Sequence, residues 1–170
     1  DLPVYKTFGA NAGSEIGFLK VLHWMQDCIA LHQRCAKNSS TPLPRRVLDL
    51  ESLNAKDNLS VHESDNETGR YMCLSHCWGG SKYPAKTTSL TLEQNKESIP
   101  WDSLPKKFQD AIVFTRWLKV RYLWIDSLCI IQDSGQDWLE SVKMVDIYRN
   151  SFLTIASTSD GGGLFYPTLP

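Results

Sequence analysis

Apolar positions fall along this chain in two rhythms. Short, mainly apolar runs stand at residues 46–50 (RVLDL, with Arg46 outside the apolar set), 71–75 (YMCLS), 122–126 (YLWID, unbroken and rich in aromatic and β-branched side chains up to Asp126) and 152–156 (FLTIA). Runs of this length without polar alternation are what strands buried on both faces of a sheet look like. Between them the spacing turns helical. Ser14 and Glu15 open a helix on which Phe18, Val21, Leu22, Met25, Ile29 and His32 recur, and Asn38 to Pro44 with its two prolines ends it. A short helix fits Leu90 to Lys96. Pro105 suits the first position of a further helix, because its missing N–H costs nothing there, and Phe108, Ala111, Ile112, Thr115 and Leu118 give its apolar face. Ser134 or Asp137 can cap a last helix carrying Leu139, Val142, Val145 and Tyr148. Residues 54–69 are polar and read either as an exposed excursion or as a hairpin, since Leu59 and Val61 alternate with polar neighbours.

Strands alternating with helices predict an α/β fold, a mostly parallel sheet with helices on both faces. Ahead of it lies an N-terminal helical extension. The 170 residues are expected to form a single domain, with residues 1–45 as leader and 46–160 as core. In such sheets ligands bind beyond the carboxyl ends of the strands. The loops that follow strands here are HCWGG, DSLCIIQD and STSDGGG, and the parallel reading brings all three to one edge. Asp126, where the most apolar run stops, is therefore either a functional carboxylate or the cap of a turn. Ser75, His76, Trp78 and Gly79 from the first loop, with Ser127, Cys129 and Gln132 from the second, complete the candidate set.

Charge and cysteine content narrow the classes. Eighteen basic and nineteen acidic residues leave a net charge of −1, and no Lys/Arg stripe points to nucleic acid or an anionic membrane. No apolar stretch approaches the length of a membrane span, and the start has no signal-peptide pattern, so a cytoplasmic location is expected. The start on Asp1 rather than Met reads as a cut from a longer protein. Five cysteines, an odd number without secretory context, read as reduced thiols. Cys28, His32 and Cys35 fall on one side of the first helix, but a structural zinc site wants four ligands. Core packing is the better reading, and no metal is expected.

Three blocks, YMCLSHCWGG at 71–80, LPKKFQDAIVFTRWLKVRYLWIDSLCIIQD at 104–133 and DWLESVKMVDIYRNSFLTIAS at 137–157, resemble the heterokaryon-incompatibility (HET) domain of filamentous fungi. CIALHQRC and LPRRVLDL further resemble the leader of larger HET proteins. The resemblance implies a self/non-self recognition module whose activation leads to programmed cell death. It also implies self-association and partners among the other domains or proteins of an incompatibility pathway. HET domains have been related to TIR domains, which implies a flavodoxin-like sheet and, for some members, cleavage of NAD+ at the nicotinamide–ribose bond by a glutamate on the helix after the third strand.

On that implication NAD+ is a substrate rather than a resident cofactor. Glu140, after Trp138 in DWLES, stands where the TIR pattern puts its catalytic acid, and Asp126 is the second candidate. A carboxylate near the ribose stabilises the positive charge of an oxocarbenium-like transition state. Alternatively Glu140 is a solvated first-turn acid favoured by the helix dipole. Backbone N–H groups at Ser75 to Gly79 suit phosphate, although no glycine fingerprint is present, and the Trp78 indole can stack a ring or anchor the loop. A cysteine hydrolase using Cys129 and His76 is disfavoured, because Leu128 and Ile130 flank the thiol. Two expectations stand: an NAD+ hydrolase switched on by assembly, or a non-catalytic module that recruits death-executing partners.

Overall fold

The computed structural model describes residues 15–32, 40–51, 59–77, 85–135, 137, 142–157 and 163–164. The chain divides into two compact units, residues 1–37 with 164–170, and residues 38–163. In the first, α1 (Glu15–Leu31) begins where Ser14-Glu15 predicted. In the second, the elements run β1 (Thr41–Pro42), β2 (Arg46–Asp49), β3 (Ser60–Glu63), β4 (Thr68–Gly69), β5 (Tyr71–His76), α2 (Leu92–Glu97), α3 (Lys106–Trp117), β6 (Tyr122–Ile125), a one-turn α4 (Asp126–Cys129), α5 (Met144–Asn150) and β7 (Leu153–Ser157). No helix among the described residues is long and apolar enough to cross a membrane.

Five strands form one sheet in the order β3-β2-β6-β5-β7, and β1 pairs with β4 in a small ribbon. β5 pairs parallel with both β6 and β7, whereas β2 pairs antiparallel with both β3 and β6. The sheet is thus mixed, and the expectation of a mostly parallel sheet that included residues 46–50 is corrected. The reason lies in the connections. A parallel neighbour needs a long crossover, usually through a helix. α2 and α3 supply one between β5 and β6, and α4 and α5 supply one between β6 and β7. Between β2 and β5 there is β3, a tight turn and β4 instead. Asp65 and Asn66, at φ of 38° and 67°, make that turn, and Asn and Asp are the residues that tolerate the left-handed region best. The two strands of this stretch do not form a hairpin with each other: β3 pairs with β2 and β4 with β1.

β6 lies in the interior of the sheet, with Leu123, Trp124 and Ile125 all buried. β5 shows how its two faces are covered. Tyr71 Oη donates to the Ile147 carbonyl at 2.6 Å, and Cys73 Sγ approaches the same oxygen, so the face of Tyr71, Cys73 and Ser75 lies under α5. His76 meets the Phe108 ring edge-on at 4.9 Å, which puts the alternate face under α3. Phe108, Ala111, Ile112 and Thr115 of α3 are buried as the apolar spacing predicts. α5 turns differently. Val142 and Val145 are 77 % and 66 % exposed, while Ile147 is buried and Met144 and Tyr148 are half-buried. The larger side chains at 144, 147 and 148 form the inward stripe, and the predicted valine face points outward.

Two ion pairs pin β2. Arg46, almost wholly buried, donates through Nη2 to Asp137 Oδ2 and through Nε to the Cys129 carbonyl at 3.0 Å. Asp137 also accepts from Arg45 Nη1 (3.2 Å) and from the Ile131 N–H (2.9 Å). Asp137 is thus the counter-ion of two arginines, and residues 138–141, where the expected helix capped by Asp137 or Ser134 begins, lie outside the described residues.

The second pair is Arg121, bidentate on Asp49 at 3.0 and 2.7 Å. Burial alone would raise the Asp49 carboxyl, but the Arg121 guanidinium and the Glu51 N–H outweigh it and hold the group below its ordinary value. A carboxyl depressed on folding contributes stability above its unfolded pKa and loses it as pH falls through the folded one. Urea midpoints measured downward from pH 5 are therefore expected to fall, and Asp49→Asn should flatten that fall. Parallel curves for the two proteins would refute the assignment.

A carboxylate–imidazole site at the carboxyl ends of the parallel strands

Because β5, β6 and β7 run the same way, their carboxyl ends share one edge, where His76, Asp126 and Ser157 stand. β6 ends at Ile125, and Asp126 opens α4, with its Oδ1 accepting the Ser127 N–H at 2.7 Å. That bond reaches only the next residue, and the cap position of α4 is Ile125. The carboxylate is 14 % exposed, with His76 Nδ1 at 3.6 Å from Oδ1. The imidazole is 1 % exposed, and Nδ1 has no hydrogen-bond partner. Burial pushes the His76 pKa below its ordinary value, the Asp126 carboxylate opposes that push, and Lys107 adds to it.

The other candidates divide clearly. Ser75 is exposed at the end of β5, next to His76. Gln132 donates to the carbonyls of Asp126 and Ile130 at 3.1 and 2.9 Å, which fixes the chain after α4. Ser127 is buried, with Oγ lacking a hydrogen-bond partner. Cys129 is buried too, and its sulfur accepts the Ile125 N–H at 3.5 Å inside the core. Burial raises that thiol to about 12, the opposite of what a nucleophile requires. Trp78, Gly79 and Glu140 lie outside the described residues. In α1, Cys28 Sγ and His32 Nδ1 are 3.3 Å apart, and Cys35 lies outside the described residues.

Neighbouring segments hold this edge together. Lys107, in the first turn of α3, donates to the Cys77 carbonyl at 2.8 Å. Gly163 lies so close to α3 that a Cβ there would overlap Asp110 Oδ2 and press on Lys106 Cγ, which explains a glycine at this point. Thr87 lies alongside α4 and the chain after it, its N–H donating to the Ser127 carbonyl and its carbonyl accepting from Gln132 N, both at 2.9 Å. Ser89 holds both oxygens of Asp133 at 2.7 Å. At the opposite end of β5 a cleft of about 410 Å³, lined by Pro42, Pro44, Arg45, Asp65, Tyr71 and Lys143 among others, includes none of the candidates.

Sequence reasoning passed over Tyr148. It counted this residue as one of an apolar helix face, yet the half-buried ring packs edge-on against Trp124 at 5.5 Å and carries a phenol. Burial first, then the charge of Asp126, raises the phenol to about 12. The available signal was a tyrosine at an otherwise apolar position, because buried tyrosines need a hydroxyl partner.

The elements that build this edge, β5 through β7 with α3 between, fall inside one matched segment. Residues 71–164, more than half of the chain, match the family model described as heterokaryon incompatibility protein (HET). No curated protein and no solved structure matches the chain. The matched segment holds all three parallel strands and their crossovers, and leaves out the antiparallel β2–β3 pair. The chain belongs to the heterokaryon incompatibility (HET) family.

Proposed function

We propose that this chain is a programmed-cell-death effector of fungal heterokaryon incompatibility that cleaves NAD+ at the nicotinamide–ribose bond when copies assemble. The observation that carries the reading is the Asp126 carboxylate, partly open at the carboxyl ends of the parallel strands beside a buried imidazole held below its ordinary pKa. Nicotinamide leaves as a neutral base, so the reaction needs no general acid. It needs negative charge facing the ribose, whose ring takes on positive charge as the bond breaks. A neutral His76 does not oppose that charge. Glu140, three residues beyond the buried Asp137, is the second carboxylate of the proposal. The parallel order β6-β5-β7, with β5 central, supports the TIR-like part of the reading.

Concentrated protein incubated with NAD+ and followed by chromatography should release nicotinamide. Glu140→Gln, which keeps the shape and removes the charge, should slow that release by about 10²–10³. If Glu140→Gln matches wild type, Glu140 is not the catalyst. If wild-type protein kills cells and leaves NAD+ intact, the enzyme reading falls. The reading that replaces it is a recruiting module, favoured by the exposed Val142 and Val145 beside and on α5.

A further inference from the structure

We infer that the cleft at the amino end of β5 binds a short zwitterionic peptide, whose carboxylate is met by Arg45 and whose ammonium group is met by Asp65. The cleft lies at the other end of the strand from His76 and Asp126, so it stands apart from the reading above.

Two walls make the cleft. One is the chain on either side of the β2–β3 pair, residues 42–45 and 64–66, and the other is α5 with Lys143 before it. Hydrogen bonds hold both walls in place. Ser64 Oγ donates to the Pro44 carbonyl at 2.8 Å, and the Ser64 N–H donates to the Arg45 carbonyl at 3.0 Å. Thr41 Oγ1 donates to the Asn150 carbonyl at 3.1 Å and Tyr71 Oη to the Ile147 carbonyl at 2.6 Å, which ties α5 to β1 and β5. A preorganised cleft of about 410 Å³ is of small-ligand size.

The lining carries both signs of charge, Arg45 and Lys143 against Asp65 and Asp146. A ligand of one sign would meet a repelling group, whereas a ligand with both signs meets a partner for each. Several of these polar groups are not committed within the fold. Asp146 is engaged by Arg149 at 3.3 Å, but among the described residues the Asp65 carboxylate makes no hydrogen bond or ion pair. The same holds for the side-chain carboxamides of Asn66 and Asn150, which also line the cleft. Arg45 gives Nη1 to Asp137 at 3.2 Å, and its remaining guanidinium donors have no partner among the described residues. A carboxamide offers a donor and an acceptor side by side, the complement of the C=O and N–H of a peptide group. A carboxylate for an ammonium group, a guanidinium for a carboxylate and carboxamides for the peptide groups are the set that a short peptide with free ends requires.

Triglycine is the probe, titrated into the whole chain and followed by amide chemical shifts, with N-acetyl-triglycine and triglycine amide as capped controls. Triglycine should move the signals of Arg45, Asp65, Asn66 and Asn150 to saturation, and either cap should weaken it by about three- to tenfold. Asp65→Asn should weaken triglycine by a similar factor and leave N-acetyl-triglycine unaffected, since the capped peptide has no ammonium group to lose. Arg45→Gln should likewise weaken triglycine and leave triglycine amide unaffected. Asp65 is exposed, so Asp65→Asn keeps the fold and carries the test should Arg45→Gln unfold through the loss of its bond to Asp137. No saturable shift at the cleft, equal binding of capped and uncapped peptides, or an Asp65→Asn variant that weakens all three ligands alike would overturn the inference.

Discussion

Asp126→Asn is expected to cost about 10²–10³ in the rate of NAD+ cleavage, the range found when one well-placed electrostatic partner of a transition state is removed. The substitution is nearly isosteric. An asparagine oxygen can still accept the Ser127 N–H that Asp126 Oδ1 now accepts at 2.7 Å, so the turn into α4 keeps its internal bond. What disappears is the negative charge. A second readout separates this from misfolding. The Asp126 charge raises the His76 pKa against the effect of burial, so removing it should shift the imidazole titration to still lower pH by NMR. An unchanged His76 titration would mean that the two groups do not face each other in solution. Unchanged NAD+ cleavage at an unchanged melting temperature would remove Asp126 from the chemistry.

The largest effect on stability is expected from Asp137→Ala. Arg46 would keep its bond to the Cys129 carbonyl, but its guanidinium, 1 % exposed, would lose its closest anion. Glu63 Oε1, 3.7 Å from Nη1, is too far for a good hydrogen bond, and Nη1 has no hydrogen-bond partner at present. The Ile131 N–H would lose its acceptor as well. Breaking one half of a buried pair typically costs about 3–5 kcal/mol, because the remaining charge stays buried and uncompensated. Against a usual stability of about 5–15 kcal/mol, that is a large share of the whole. Urea unfolding should show the loss, and Arg46→Met with Asp137→Leu should recover much of it, since a well-packed apolar pair can replace a buried ionic one. A loss within ~1 kcal/mol for Asp137→Ala would show that the pair is weak or solvated.

The sequence by itself determined the strands at 46–49, 71–76, 122–125 and 153–157 and the helix of residues 106–117, because apolar runs and helical spacing are local properties. The two crossovers that make β5, β6 and β7 parallel were legible for the same reason, and with them the shared edge of His76 and Asp126. The direction of β2 was decided by the tertiary structure. Nothing in RVLDL distinguishes a parallel from an antiparallel partner, and the pairing with β3 and β6 depends on distant residues. The inward face of α5 was also a tertiary outcome. Its valines have helical spacing, but the larger Ile147 and Tyr148 fill the space over Tyr71, Cys73 and Trp124. Nothing around Asp137 in the sequence shows that Arg45 and Arg46, some ninety residues earlier, are brought against it. Long-range ion pairs leave no periodic trace in a sequence, since they depend on which distant side chains the sheet places side by side. The role of a polar residue in this chain, unlike the position of a strand, was fixed only by its neighbours in space.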